Sequence, residues 1–255
     1  MIDLKKTLKK SIPDRIRKFI NRIRHIAIVD GPLSYKQDGL YTLHSCDFLK
    51  DELFLEAYNL GKGTNSWENA DIQWRAHVVF WAASIAKNLD GDFVECGVYR
   101  GGYSRGIIHY IDFEKLNKKF YLLDTFCGLP EKYILSEEKQ IGRKPGGYEE
   151  CYEAVKQTFK DFHNVEIIRG AIPDILPLAK IERIAYLSID MNSVIPEIAA
   201  AEYFWDKIVK GGIIVLDDYG YSGYLPQKNA FDEFARKKKV VILQLPTGQG
   251  IIIKC

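Results

Sequence analysis

At 255 residues, 47% hydrophobic and 27% charged, the composition is that of a soluble globular protein with a sizeable core, one main domain and an extension. No apolar run approaches the ~20 residues of a membrane-spanning helix, and the chain opens on lysines rather than a signal-peptide core, which predicts a cytoplasmic protein. Five scattered cysteines (Cys46, Cys96, Cys127, Cys151 and Cys255) include no close pair of the zinc or redox kind and read as reduced and structural.

The net charge of +2 conceals an asymmetry. Residues 1–24 carry nine bases against two acids, a charge of +7, and the remaining 27 bases against 32 acids leave −5. Leu4, Leu8, Ile12, Ile16, Ile20 and Ile23 recur at helical spacing, so this stretch reads as a basic amphipathic helix that Pro13 breaks or restarts. Packing on its own domain or on a second copy in a homo-oligomer is the expected use, and peripheral contact with anionic lipid is the alternative. Nucleic acid is disfavoured because the basic character stops there. The expected division is a helical, basic extension over residues 1–70 and a catalytic domain over 71–255.

After a loop-rich stretch around residues 61–65, the pattern predicts a helix over residues 72–88 and then alternating elements. Strands are expected at 93–97, 120–124, 165–169, 184–190 and 211–217, and helices from near 103 and over 149–162, 196–209 and 227–239. Two last strands, 240–245 and 250–254, are joined by a turn too short for a parallel return. Alternation of this kind means α/β architecture: a doubly wound, Rossmann-like, seven-stranded sheet with right-handed crossovers and an antiparallel last strand. That is the layout of class I methyltransferases, and it differs from a dinucleotide-binding sheet, whose sixth strand is parallel. The connection over residues 125–147 is long and charged, and is expected to act as a lid.

Chemistry concentrates at the strand ends, where open parallel sheets bind ligands. Asp190 ends one buried run, and Asp217 and Asp218 end the next. Three carboxylates on neighbouring strands would converge on one hard cation, magnesium or calcium rather than zinc. The glycine turn after the first strand lets a backbone approach a ligand, and the helix N-terminus beyond it offers N–H groups to a carboxylate or phosphate. Tyr99 stands where a dinucleotide fingerprint needs its second glycine, which argues against a nicotinamide cofactor. Asp124 is placed to accept from ribose hydroxyls. Tyr219, Tyr221 and Tyr224 follow the acid pair and are candidates to stack on a sugar or phenol ring. The five histidines are isolated in sequence and read as packing or surface residues.

The segments Glu95-Cys-Gly-Val-Tyr-Arg-Gly-Gly102, Leu123-Asp-Thr-Phe-Cys-Gly-Leu-Pro130, Arg169-Gly-Ala-Ile-Pro-Asp-Ile-Leu-Pro177, Asp190 and Leu216-Asp-Asp-Tyr-Gly220 follow one another in an order that resembles the macrocin O-methyltransferase (TylF/MycF) family. The resemblance covers residues 72–255 and implies S-adenosylmethionine (SAM), magnesium and methylation of sugar hydroxyls. It implies that Glu95, Gly97, Tyr99, Arg100, Gly101, Gly102 and Ser104 surround the methionine end of the cofactor. Asp124 would hold the ribose, and Gly170, Ala171 and Ile172 would lie by the adenine. Asp190, Asp217 and Asp218 would bind magnesium. Two departures leave the acceptor open: the family's Asp-Gly-Asp is here Asp190-Met191-Asn192, and its Tyr-Glu-Ser is Ile195-Pro196-Glu197. The expected mechanism has Asp217 and Asp218 anchoring the cation while Asp190 also accepts the hydroxyl proton. The competing reading is a non-catalytic scaffold or a differently reacting, hydroxylase-like protein on the same sheet in a glycan or natural-product pathway.

Overall fold

The computed structural model describes residues 32–255, so the amphipathic helix expected near the N-terminus lies outside the described residues. The chain divides into two compact units, residues 1–36 with 41–45 and residues 37–40 with 46–255. The described part of the first includes most of two short strands, β1 (Tyr35–Gln37) and β2 (Leu40–Thr42), closed by a bond from Ser34 N–H to Thr42 O at 2.9 Å. The second unit takes in the 37–40 turn and everything described below.

Its sheet has seven strands: β3 (Asp92–Cys96), β4 (Phe120–Asp124), β5 (Val165–Arg169), β6 (Ile184–Ile189), β7 (Ile208–Leu216), β8 (Leu243–Gln244) and β9 (Gly250–Ile253). Their order across the sheet is β5-β4-β3-β6-β7-β9-β8, with the first five parallel and β9 antiparallel to both its neighbours. The last strand therefore inserts between β7 and the edge strand β8, as the Rossmann-like methyltransferase layout requires. β6 is buried along its whole length because it has covered faces and paired strands on both sides, which explains its continuous apolar run.

Alternate strand residues feed two cores. Phe93, Phe120, Leu122, Ile213 and Val215 face a layer built from α1 (Glu52–Lys62), α2 (Gln73–Ala86) and α3 (Gly102–Tyr110). Val94, Leu123, Leu187, Ile189 and Leu216 face α6 (Val194–Trp205) and α7 (Leu225–Lys238). Two shorter helices, α4 (Ser136–Gln140) and α5 (Tyr152–Phe159), follow β4.

Several boundaries differ from expectation. α1 runs into the first two residues of the stretch around 61–65 that was expected to be loop; Asp51 caps it by accepting from Phe54 N–H at 2.7 Å, and Phe54, Ala57, Tyr58 and Gly61 are buried at helical spacing. Gly61 masked that pattern; a Cβ there would lie 2.5 Å from the Gly102 carbonyl oxygen, so the glycine allows α1 to pass against the start of α3. α6 stops at Trp205 rather than continuing to 209, because the Lys207 carbonyl already accepts from Ile184 N–H at 2.9 Å and Ile208 pairs with Ile184. A bulge then shifts the register between Ile184 and Tyr186, with Gly211 at φ 82°. The strand expected at 240–245 is reduced to Leu243–Gln244 at the sheet edge.

The 125–147 connection is built rather than slack. It contains α4, pairs Leu129 with Gly146, and sends the buried Glu138 carboxylate to Leu135 N–H (2.8 Å), the Ser193 hydroxyl (3.1 Å) and Val194 N–H (2.9 Å). Glu138 thus caps the N-terminus of α6, where an anion is favoured.

Candidate functional site

Each central strand continues its ladder one step past its end. Gly97 N–H reaches Leu123 O (2.9 Å), Asp190 N–H reaches Cys96 O (2.9 Å), Asp217 N–H reaches Ile189 O (3.1 Å) and Gly170 N–H reaches Asp124 O (2.8 Å). This register places the glycine turn and the acids around one cavity of about 390 Å³ at the carboxyl end of the sheet. The approach is tight: a Cβ on Gly97, at φ 89°, would lie 1.8 Å from the Asp190 carbonyl oxygen.

Of the residues expected to surround a cofactor, Glu95, Gly97, Tyr99, Gly102, Asp124, Gly170 and Ile172 line the cavity, whereas Arg100, Gly101, Ser104 and Ala171 do not. Ser104 instead donates to the buried carboxylate of Glu95. Burial pushes the Glu95 carboxyl well above its ordinary pKa, and the charges of Asp190 and Asp124 push the same way. Asp124 knits the turns together: it accepts from Val98 N–H (2.5 Å), Tyr99 N–H (2.7 Å) and Phe126 N–H (2.6 Å). Tyr99, at φ 49°, is fixed by that bond and packs its ring against Tyr148 at 4.9 Å.

Asp190, Asp217 and Asp218 all line the cavity, but their surroundings differ. Asp217 is closely held: Arg75 Nη1 lies 2.5 Å from one oxygen, and Gln249 Nε2 (3.0 Å) and the Tyr103 hydroxyl (3.3 Å) donate to the other. Among the described residues, Asp190 receives only the Asn192 side-chain amide at 3.3 Å, and nothing donates to the Asp218 carboxylate. Burial raises the pKa of both Asp190 and Asp218, and the Asp217 charge raises both further. Among the described residues, no three His, Cys, Asp or Glu side chains are arranged to hold a metal.

Sequence patterns did not mark several residues here. Arg75 stands 142 positions from Asp217 and Gln249 stands 32. Burial works against the Arg75 charge, yet Asp217 foremost among its neighbours holds its pKa above the ordinary value. Glu197, buried in the first turn of α6, accepts from Met191 N–H at 3.3 Å; burial and the Asp190 charge raise its pKa well above the ordinary value. An acid in the first turn of the helix after a strand-end aspartate was the only local sign of it.

Tyr221 and Tyr224 line the cavity. Tyr224 donates to the Asn192 carboxamide, which in turn donates to the Tyr148 hydroxyl at 3.3 Å. Tyr219 does not line it; its ring is buried in the core and its hydroxyl donates to Asp232 at 2.5 Å. His77 stacks on Phe48 at 4.1 Å, His109 pairs with Glu56 at 3.2 Å, and neither lines the cavity.

Residues 78–243 match the macrocin O-methyltransferase (TylF) family. The chain belongs to this family. Demethyldecarbamoylnovobiocin O-methyltransferase of Streptomyces niveus is 28% identical over 164 residues, 60% of this chain and 61% of that one. The 8-demethyl-8-(2,3-dimethoxy-alpha-L-rhamnosyl)-tetracenomycin-C 4'-O-methyltransferase of Streptomyces olivaceus is 26% identical over 146 residues, 53% of this chain and 55% of that one. The chain thus spans less than two thirds of the length of these curated relatives. Among solved structures, the O-methyltransferase NovP superposes with a TM-score of 0.62 at 23% identity over 78% of this chain and 87% of that one, a likeness of fold.

Proposed function

We propose that this TylF-family chain is a SAM-dependent O-methyltransferase that acts, with a divalent cation, on a hydroxyl of a sugar or glycosylated small molecule. The observation that carries this reading is the single cavity joining the glycine turn to the open carboxylates of Asp190 and Asp218. Relatives named for rhamnosyl and novobiocin-type acceptors support the acceptor class.

The lining fits the cofactor. A methionine ammonium would meet the Glu95 side of the turn, and Gly170 and Ile172 offer an apolar slot for a flat base. The donor set of Asp190 and Asp218 also fits a hard divalent cation, since both are oxygen ligands and each carboxylate repels the other until a cation offsets them. SAM supplies an electrophilic methyl on a sulfonium, and a divalent cation supplies the Lewis acidity that makes an acceptor hydroxyl easier to ionise.

This chain's own residues then orient and deprotonate. Asp190, at the end of its strand and facing the cavity, accepts the acceptor's hydroxyl proton. Tyr148, Tyr221 and Tyr224 wall the acceptor side, with Asn192 fixing two of their hydroxyls. SAM held by the glycine turn would supply its methyl to the acceptor oxygen and would leave as the neutral thioether.

Calorimetric titration with S-adenosylhomocysteine (SAH), NAD and Mg2+, followed by methyl-transfer assays on glycosylated acceptors, tests the reading. Micromolar SAH binding with none for NAD, and Mg2+-stimulated methylation, are expected. Absence of SAH binding would overturn it.

A further inference from the structure

Resting on the acceptor side of the reading above, we propose that Arg143 determines specificity: its guanidinium docks an acidic group, phosphoryl or carboxylate, on the acceptor, so the substrate class is an anionic sugar rather than a neutral one. Arg143 stands in the 125–147 connection, and its backbone N–H donates to the Glu138 carbonyl at 2.9 Å. The Glu138 carboxylate is itself held by Val194 N–H and the Ser193 hydroxyl, so this clasp keeps Arg143 over the acceptor side of the cavity. Its guanidinium carbon lies 3.8 Å from the centre of the Tyr224 ring, which lines the cavity and donates its hydroxyl to Asn192.

A guanidinium is always charged and only donates. Neighbouring cations already have carboxylates: Arg75 has Asp38 and Asp217, Arg100 has Glu149, and Lys132 has Asp174. Arg143 differs, because its Nε and Nη2 are buried and meet no hydrogen-bond partner among the described residues. The contact with Tyr224 is a cation–π pair, which engages the flat face of the guanidinium and leaves its in-plane donors unmet. Buried donors without partners are costly, and a planar fork of N–H groups matches the oxygens of a phosphate or carboxylate two at a time. Gly142 before Arg143 and Gly146 and Gly147 after it have open space where a side chain would stand, so the arm has room to tilt these donors toward a bound anion. Burial and the nearby aspartates raise the pKa of the Tyr148 and Tyr224 hydroxyls and the Arg143 charge pulls both back, so its field reaches the acceptor wall.

The test titrates the full chain, with SAH and Mg2+ present, with three probes in a calorimeter: methyl glucoside, which is neutral, methyl glucuronide, which carries a carboxylate, and glucose 1-phosphate, which carries a phosphoryl group. One of the two anionic probes should bind on the order of 10–100-fold more tightly than methyl glucoside, and which one does so tells phosphoryl from carboxylate. Arg143→Met should bring that probe to within about threefold of the neutral one, and Arg143→Lys, which keeps the charge without the planar fork, should retain only part of the preference. Equal affinity for all three probes in the unmodified chain, or a preference that survives Arg143→Met, would overturn the proposal. Melting and SAH titration check that each variant is folded. Should Arg143→Met fail to fold, the preference of the unmodified chain and its partial loss in Arg143→Lys decide. Binding of none of the three probes would overturn the proposal, while SAH binding in the same samples would leave the methyltransferase reading standing.

Discussion

Gly97→Ala tests whether the contact between the glycine turn and the Asp190 strand end sets activity. The new Cβ would sit 1.8 Å from the Asp190 carbonyl oxygen and 2.5 Å from its carbonyl carbon, and backbone cannot swing aside as a flexible side chain can. Opening that distance to the 3.0 Å below which real Cβ contacts essentially never occur displaces the Asp190 turn by at least about 1.2 Å. At φ 89° the alanine also adds roughly 1–2 kcal/mol of backbone strain. A misplacement near 1 Å costs on the order of 100-fold in turnover. With strain and imperfect repacking together near 2–3 kcal/mol, the melting temperature should fall by about 5–10 °C. Gly142→Ala is the control: Gly142 has φ 100° but open space around its Cβ, so it should show the strain and none of the displacement. Calorimetric melting and a SAM-dependent methylation assay read both. A Gly97→Ala enzyme with the turnover and melting temperature of Gly142→Ala would refute the reasoning.

Asp218→Ala should abolish metal-stimulated turnover while leaving SAH affinity within about threefold, since Asp218 stands beyond the glycine turn that the cofactor would use; full activity would remove Asp218 from the metal site. Glu138→Ala strands the Leu135 and Val194 N–H groups, so a loss of about 2–4 kcal/mol and faster proteolysis within residues 125–147 are expected, and an unchanged melting temperature would contradict the cap. The pKa values of Glu95, Asp190, Glu197 and Asp218 are raised on folding, so the stability they contribute is fully present below the ordinary carboxylate range and is lost as pH rises through the folded-state values. The metal-free chain should therefore melt lower as pH rises above the ordinary carboxylate range, and excess Mg2+ should protect more at the upper end of that rise; equal protection at both ends would count against buried, protonated acids. Tyr224→Phe, which removes the donor to Asn192, should raise the KM for acceptor several-fold with SAH binding unchanged, and an unaltered KM would take that ring out of the acceptor wall.

The strand ends were legible because the relevant physics is local. A run such as Ile184–Ile189 is apolar throughout only where both faces are covered, and an acid directly after it must emerge at the carboxyl edge of a parallel sheet. The glycines at 97 and 101 likewise announced a turn with φ values that side chains avoid. The start of α1 was also written locally, in Asp51 and the spacing of its buried residues, but Gly61 reads as a loop until the helix it passes is known. The end of α6 depended on pairing between Ile184 and Ile208, which no helical propensity of residues 206–209 reports.

The sequence by itself thus determined the order of elements, the sheet edge where chemistry collects, and the identity of the three aspartates at strand ends. Tertiary structure alone decided what each aspartate meets. Asp217 is claimed by Arg75 from a helix far upstream and by Gln249 from the last hairpin, while its neighbour Asp218 faces the cavity without a donor among the described residues. Periodicity records which face of an element is buried, but a carboxylate's partners, and so its charge state and its availability to a cation, depend on side chains that only folding brings within about 3 Å.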